Sequence, residues 1–96
     1  MDVLVTYDVN TMTKEGRKRL RKVAKICEGY GQRVQWSVFE CSLTNAQFER
    51  MRLRLLRVID EEEDSLRIYR MLGGRDEVVQ SYGRDHYVDF DEPLII

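Results

Sequence analysis

The spacing of apolar residues constrains this chain more than any other feature, because it changes from strand-like to helix-like and back twice along the chain. Residues 3–7 form a β-branched and aromatic run that ends at Asp8, which predicts a buried strand followed by a turn. Residues 14–30 carry apolar side chains at i, i+3, i+4 and i+7, the period of one helix face. The glycines Gly29 and Gly31 predict the end of this helix.

A change of phase divides the next strand-like segment, residues 32–43. Its apolar residues alternate on one side as far as Val38 and on the other side from Phe39 onward. Such a change predicts a bulge, a tight reversal, or a strand that is covered on both faces. A second amphipathic helix is predicted after an N-cap supplied by Thr44-Asn45, and a third strand-like run follows at residues 65–72.

The order strand, helix, strand, helix, strand fits an α+β sandwich with its helices on one face of an antiparallel sheet. If residues 32–43 supply two strands, the arrangement is the ferredoxin-like βαββαβ fold. A chain of 96 residues can build one hydrophobic core and not two, so residues 1–96 are expected to form a single domain. The closing residues Leu94, Ile95 and Ile96 are apolar, and we expect them to pack against this subunit or a partner.

The composition favours a soluble protein, with a hydrophobic fraction of 43% and a charged fraction of 34%. No apolar run approaches the ~20 residues that cross a bilayer, and the N-terminus lacks a signal-peptide pattern. We therefore expect a cytoplasmic protein with no membrane partner. Cys27, Cys41 and the single histidine do not make up the four ligands of a structural zinc site, so reduced thiols are predicted.

The net charge of −1 conceals a strong asymmetry along the chain. Residues 1–57 carry 12 Lys and Arg against 6 Asp and Glu, whereas residues 58–96 carry 4 against 11. Five adjacent acids at 60–64 are predicted to form a solvated loop. The basic excess lies mainly on the first helix, in a set that we call the basic ridge: Lys14, Arg17, Lys18, Arg19, Arg21, Lys22 and Lys25. Three arginines of the second helix extend it: Arg50, Arg54 and Arg57. A solvated helix face is the alternative, but such faces normally mix signs, so the ridge is predicted to contact nucleic-acid phosphates.

Asp8 is the carboxylate best placed for chemistry, because it ends a buried strand that would hold it rigidly. The alternative is an ordinary turn or cap residue. A hard cation such as Mg²⁺ prefers several oxygen ligands, so one aspartate is a poor site within a single chain. Two copies of Asp8 that meet across a symmetry axis would make a better one. The aromatic residues Tyr7, Trp36 and Phe39 could stack on nucleic-acid bases, but strand aromatics are more often core residues.

Three segments of the sequence carry a resemblance to a known family: residues 4–9, 17–20 and 30–41. They closely resemble the CRISPR-associated protein two family, the smaller of the two core spacer-acquisition proteins of CRISPR antiviral defence. Segments 64–69 and 92–96 match as well, so the resemblance covers nearly the whole chain. The pairing of a Tyr-Asp strand end with an Arg-Val-Gln-x-Ser-Val-Phe-Glu block is specific to this family.

The resemblance implies a ferredoxin-like homodimer with an additional C-terminal strand. Residues 76–96 would form a C-terminal extension packed on the partner subunit. The expected partners are a second copy of the chain, the larger CRISPR-associated integrase and the double-stranded DNA that is inserted as a spacer, with RNA as a further substrate.

The resemblance also implies a metal-dependent endonuclease that uses Mg²⁺ or Mn²⁺ to cleave RNA or double-stranded DNA. Asp8 matches the aspartate at the metal. Motif position makes four residues catalytic candidates: Tyr7, Asp8, Arg33 and Phe39. Arg17 and Arg19 also match residues that are important in the family.

Two hypotheses of different class follow from the sequence. In the enzymatic one, paired Asp8 carboxylates hold Mg²⁺ for phosphodiester hydrolysis. In the architectural one, the dimer binds DNA and bridges the integrase, and cleavage is incidental or absent. A stand-alone RNA-cleaving toxin of similar fold is a third interpretation.

Overall fold

The computed structural model describes residues 1–73, 75–80 and 82, and this part of the chain folds into seven elements. In chain order they are β1 (Asp2–Asp8), α1 (Lys14–Glu28), β2 (Gly31–Gln35), β3 (Val38–Ser42), α2 (Asn45–Val58), β4 (Ser65–Met71) and α3 (Arg75–Val78). The strands form one antiparallel sheet in the order β2-β3-β1-β4. The first six elements and this strand order confirm the predicted α+β, ferredoxin-like βαββαβ fold.

Both long helices begin at threonine caps. The Thr13 hydroxyl accepts a hydrogen bond from the backbone N–H of Gly16 at 3.0 Å. Thr44 and Gln47 form a reciprocal capping box before α2, which confirms the N-cap predicted at Thr44-Asn45 and assigns it to Thr44. The helices therefore start where unpaired backbone N–H groups gain side-chain acceptors.

Alternation along β1 sets the layers of the fold. Val3, Val5 and Tyr7 are buried, and their side chains belong to the core cluster that contains helix residues such as Val23 and Leu55. The residues between them point to the opposite side of the sheet, which the two long helices do not cover. We call this side the open sheet face.

The change of phase predicted within residues 32–43 is a tight reversal at Trp36 and Ser37. The ladder between β2 and β3 also shifts register between Arg33 and Gln35, so a bulge accompanies the reversal. Of the three structures that the sequence allowed, two therefore occur together in one hairpin.

Three further expectations can be compared with the structure. Cys27 and Cys41 have free thiols, as predicted, and burial raises their pKa to about 12 and about 11. In sequence, the adjacent pair Val78 and Val79 predicts a weak strand-like piece, and this expectation is wrong, because α3 occupies Arg75–Val78. The additional C-terminal strand, the terminal apolar residues and His86 lie outside the described residues.

Within the described ranges, no helix is long and apolar enough to cross a membrane.

Candidate functional site

Asp8 lies at the end of the central strand β1 and on the open sheet face. It pairs with Ser65 in the β1–β4 ladder, and its side chain is exposed. The ladder to β4 includes Asp8 itself, and the ladder to β3 runs as far as Thr6, so the strand that carries this carboxylate is fixed in the sheet. The geometry is that of a rigidly mounted carboxylate that faces solvent.

The surroundings of Asp8 on the open sheet face mix apolar and charged side chains. Residues opposite one another in an antiparallel ladder project on the same face. Leu4 pairs with Glu40 and Tyr69, and Thr6 pairs with Val38 and Arg67. These four partners therefore lie on the open sheet face together with Leu4 and Thr6. Tyr69 is 47% exposed, and its hydroxyl accepts a hydrogen bond from Arg67 Nη1 at 3.2 Å.

Among the residues that the structure describes, no three His, Cys, Asp or Glu side chains gather into a metal-binding group. The oxygen donor at Asp8 suits a hard cation such as Mg²⁺ or Mn²⁺, but one carboxylate is too few. The described part of one chain thus offers a single carboxylate at this point, and a metal site built from two copies of Asp8 stays a prediction.

A second carboxylate, Asp64, directly precedes the ladder partner of Asp8, and it is buried rather than exposed. Its side chain is fully buried, and it accepts hydrogen bonds from Arg19 Nε at 2.8 Å and Arg19 Nη2 at 3.2 Å. It also accepts hydrogen bonds from the backbone N–H groups of Asn10 at 3.1 Å and Asp60 at 2.9 Å. We call these four residues the Asp64 cluster.

The Asp64 cluster corrects the prediction of a fully solvated loop at residues 60–64. Burial raises the pKa of the Asp64 carboxyl, but the hydrogen bonds from Arg19, Asp60 and Asn10 outweigh it, and the pKa lies below the ordinary value of 3.8. The carboxylate is therefore stable inside the protein because its charge is well hydrogen-bonded. It lies directly before Ser65, the ladder partner of Asp8.

The β1–α1 loop is fixed by the same cluster. Asn10 Nδ2 donates to Glu63 at 2.7 Å, and its side-chain oxygen accepts from the Met12 N–H at 2.9 Å. A Cβ on Gly16 would lie 1.8 Å from the Asn10 carbonyl oxygen, so the loop and the first turn of α1 approach as closely as glycine allows. The segment that follows Asp8 is thus held on both sides.

Three of the predicted catalytic residues form one layered group. The rings of Tyr7 and Phe39 are stacked, with centroids 6.2 Å apart, and the Arg33 guanidinium lies 5.1 Å from the Phe39 centroid. The Tyr7 hydroxyl donates to the Trp36 carbonyl at 3.4 Å. Burial raises the pKa of Tyr7, although a hydrogen bond with the Arg33 side chain opposes the shift.

Burial decides how these residues can act. Phe39 is 0% exposed and Tyr7 is 5% exposed, so both are core residues in this structure. Arg33 keeps a partly exposed guanidinium, 3.6 Å from Glu28. A catalytic role for Tyr7 and Phe39 stays a prediction, and from these positions it would act through Arg33.

The basic ridge lies on the outward side of α1. Six of its seven residues are exposed: Lys14, Arg17, Lys18, Arg21, Lys22 and Lys25. Arg19 is the exception, because it turns onto Asp64. Lys22, Lys25 and Arg54 line a surface cavity of about 350 Å³ between the two helices, so Arg54 lies beside the ridge. Its phosphate contacts stay a prediction.

The sequence did not identify Asp64 or Asn10 as members of the site. Asp64 ends a run of five acids and directly precedes a strand, whereas the four acids before it do not. Its position directly before a strand is the one sequence signal that distinguishes Asp64 from the other four acids of the run.

Known proteins match this chain along its whole length. The family model for CRISPR associated protein Cas2 matches residues 1–77. The CRISPR-associated endoribonuclease Cas2 1 of Moorella thermoacetica is 55% identical over 100% of both chains. The CRISPR-associated endonuclease Cas2 of Halalkalibacterium halodurans is 52% identical over 99% of both. The crystal structure of Streptococcus pyogenes Cas2 is 57% identical, with a TM-score of 0.76, and the match covers 86% of this chain and 100% of that one.

Proposed function

This chain belongs to the CRISPR associated protein Cas2 family, and from this premise we propose that it is a Mg²⁺-dependent endonuclease that works as a homodimer. The observation that carries the proposal is the exposed carboxylate of Asp8 at the end of the central strand. The relatives in Moorella and Halalkalibacterium are named as an endoribonuclease and an endonuclease, and this supports a phosphodiester substrate.

A second copy of the chain would complete the site. The open sheet face carries partly exposed apolar side chains at Leu4, Val38 and Tyr69, and covering them would stabilise a dimer. A two-fold axis beside Asp8 would bring two carboxylates together, which is the oxygen-donor set that Mg²⁺ or Mn²⁺ requires. When bound, such an ion supplies polarisation of the phosphate and activation of water for hydrolysis.

The other residues of this face would hold the substrate and the carboxylate in place. Arg67 is an exposed cation two ladder positions from Asp8 and can pair with a phosphate. The Asp64 cluster fixes the strand and loop on either side of Asp8, so the carboxylate keeps its position when substrate binds. Arg19, assigned to nucleic acid by the sequence, is here a positioning residue.

The test of this function is cleavage by purified protein. RNA and double-stranded DNA are incubated with Mg²⁺ and either wild-type protein or Asp8→Asn, and Glu61→Gln serves as a control that neutralises an exposed acid of the 60–64 loop. Wild type and Glu61→Gln are expected to cleave at equal rates while Asp8→Asn does not. Equal cleavage by Asp8→Asn would show that the activity belongs to another site or another protein.

The C-terminal extension, residues 76–96, belongs to the same proposal. Its last residues, 93–96, would cover the partner's sheet, and the family resemblance supports this packing. Removing residues 93–96 is expected to expose apolar surface and shift the sedimentation of the protein toward monomer. A truncated chain that stays dimeric with unchanged thermal stability would contradict it.

A second function is favoured by the position of the basic ridge. The ridge points away from the sheet on the helix side, whereas Asp8 lies on the open sheet face. DNA bound along the ridge therefore does not lie over the Asp8 of the same subunit. This separation supports an architectural role, in which the dimer binds spacer DNA and joins the larger integrase during spacer acquisition.

The architectural role is tested by integration. Spacer insertion is measured with the larger integrase and either wild-type protein or Asp8→Asn. Insertion by Asp8→Asn at the wild-type rate is expected if binding alone is needed. Loss of insertion, with dimer and DNA binding intact, would show that the two functions depend on one site.

A further inference from the structure

The surface cavity of about 350 Å³ between α1 and α2 combines charge with apolar surface. Its six lining residues are three cations and three uncharged residues: Lys22, Lys25, Arg54, Ile26, Gly29 and Val58. None of the six is acidic. The cavity therefore offers a ligand both a positive rim and an apolar floor, and we call it the interhelical groove.

The floor of the interhelical groove belongs to the border of the core. Ile26 and Val58 are partly buried and pack against the buried core cluster, whereas the three cations are exposed. An apolar side chain that enters the groove would be removed from water against these two residues, which is favourable. A phosphate gains nothing from them, because it has no apolar surface to bury.

The three cations of the groove are available to a partner. No ion pair of the described residues includes them. The acids nearest to them in sequence are directed elsewhere, since Glu28 lies 3.6 Å from Arg33 and Glu49 lies 2.7 Å from Arg52. A carboxylate that reaches the groove from another molecule would thus meet unneutralised charge.

Helix capping explains only one of these cations. Lys25 lies in the last turn of α1, where a cation offsets the partial negative charge of the helix end. Lys22 lies before that turn. Arg54 belongs to α2, and its Nη1 lies 3.5 Å from the Tyr30 hydroxyl. The meeting of cations from two helices at one cavity is therefore not a by-product of capping.

The wall that α2 contributes continues the same mixture of residues. At about 100° per residue, Val58 and Arg54 are followed around the helix by Arg50, Arg57 and Leu53. Leu53 is 46% exposed. A helix that carries acidic and apolar residues at i, i+3 and i+4 would match this wall in both charge and packing.

From these observations we propose that the interhelical groove binds an acidic amphipathic helix of a partner protein. Apolar side chains of that helix would enter the groove against Ile26 and Val58, and its carboxylates would pair with the three cations. The proposal goes beyond the nuclease and does not depend on Asp8. Because Lys22 and Lys25 belong to the basic ridge, the partner helix and duplex DNA would compete for this end of it.

Selection from a phage-displayed library of helical peptides with random surface positions tests the proposal. Full-length wild-type protein is the target. Enriched peptides are expected to carry Asp or Glu together with Leu, Ile or Phe at i, i+3 and i+4. The most enriched peptide is then synthesised with a fluorescent label, and its binding is measured by anisotropy.

Variants separate a defined groove from a general attraction of acids. Arg54→Gln is expected to weaken peptide binding about 5-fold, and Gln at all three cationic positions about 100-fold. Val58→Thr removes apolar surface without a change of charge, so it should weaken peptide binding about 4-fold and leave duplex DNA binding unchanged. Arg52→Gln is the matched control, since its guanidinium is directed to Glu49, and it should bind the peptide as wild type does.

Four results would overturn the inference. The first two are a selection that enriches no acidic peptide and a peptide affinity that Val58→Thr leaves unchanged, which would reduce the groove to a general attraction of anions by the ridge. The third is dissociation of the dimer in the triple Gln variant, seen by sedimentation, which would place the groove between two copies of the chain. The fourth is displacement of the selected peptide by a synthetic peptide of residues 85–92, which would make this acidic segment of the chain itself the occupant. None of these results depends on the nuclease assay.

Discussion

The two faces of this molecule distribute their charge in different ways. On the helix face, six exposed cations of α1 are spread along the ridge and act on any phosphate chain nearby. On the open sheet face, one exposed carboxylate occupies a fixed point at the end of β1. A distributed charge favours binding and a fixed carboxylate favours chemistry, so we expect nucleic-acid binding by the ridge and cleavage at Asp8 to be separable.

The Asp64 cluster connects these two faces. Arg19 belongs to α1, and Asp64 directly precedes the strand position that pairs with Asp8. The contrast between the two aspartates is instructive, because one carboxylate is exposed and the other is fully buried with four hydrogen bonds. We expect the first to matter for activity and the second for stability.

The largest effect is expected from Asp8→Asn on cleavage. The change removes a negative charge with almost no change of shape, and loss of the metal's contribution should lower the rate about a thousandfold or more. Binding of the same RNA or DNA, measured in EDTA, should be unchanged or slightly tighter. If cleavage and binding decrease together, Asp8 contributes to both, and the functions of the two faces are not separable.

Asp64→Ala is expected to affect stability instead. It leaves the partly buried Arg19 without its partner, and the free energy of unfolding in urea should fall by about 3 kcal/mol. Glu61→Ala removes an exposed acid of the same loop and should change the free energy of unfolding by less than about 0.5 kcal/mol. Equal effects of the two substitutions would show that the buried carboxylate has no special role.

The ridge is tested by the salt dependence of binding. Replacing Lys18 and Lys22 with Ala should weaken duplex DNA binding for all sequences alike, because phosphate contacts carry no base information. The slope of log affinity against log salt should flatten by about 0.9 for each phosphate that the protein no longer neutralises. Neutralising Glu61 and Glu62 should leave the slope as it is. A slope that the lysine pair does not change would make the ridge an ordinary solvated surface.

The smallest effect concerns pH. The pKa of Asp64 lies below its ordinary value of 3.8, so its contribution to stability is complete above that pH and is lost as the pH falls further. The difference in unfolding free energy between wild type and Asp64→Asn should therefore be constant near neutrality and shrink below about pH 4. A difference that stays constant down to pH 2 would exclude titration of Asp64 as its source.

Periodicity predicted much of the fold because its signals are local. The helical stripe through Val23 and Cys27 and the strand that ends at Asp8 are both read from neighbouring residues. The hairpin was harder to predict, because a bulge and a reversal of the chain produce the same change of phase in the sequence. The bond from the Tyr7 N–H to the Ser37 carbonyl, which settles the reversal, joins residues far apart in the chain.

The candidate site was predicted in part for the same reason. The exposed position of Asp8 follows from strand alternation. The burial of Asp64 does not, because its partner Arg19 is 45 residues away and its four acidic neighbours look alike in sequence. The exposure of Trp36 likewise depends on where the hairpin turns, and sequence alone left it between a core and a base-stacking residue.

Metal binding by the dimer tests the central claim most directly. Wild-type protein and Asp8→Asn are titrated with Mn²⁺ without nucleic acid, and bound metal is followed by the loss of the free-ion paramagnetic resonance signal. If paired Asp8 carboxylates form the site, wild type should bind one Mn²⁺ for each two chains, and Asp8→Asn should bind none at the same concentrations while remaining a folded dimer. Equal binding of Mn²⁺ by Asp8→Asn would contradict the account.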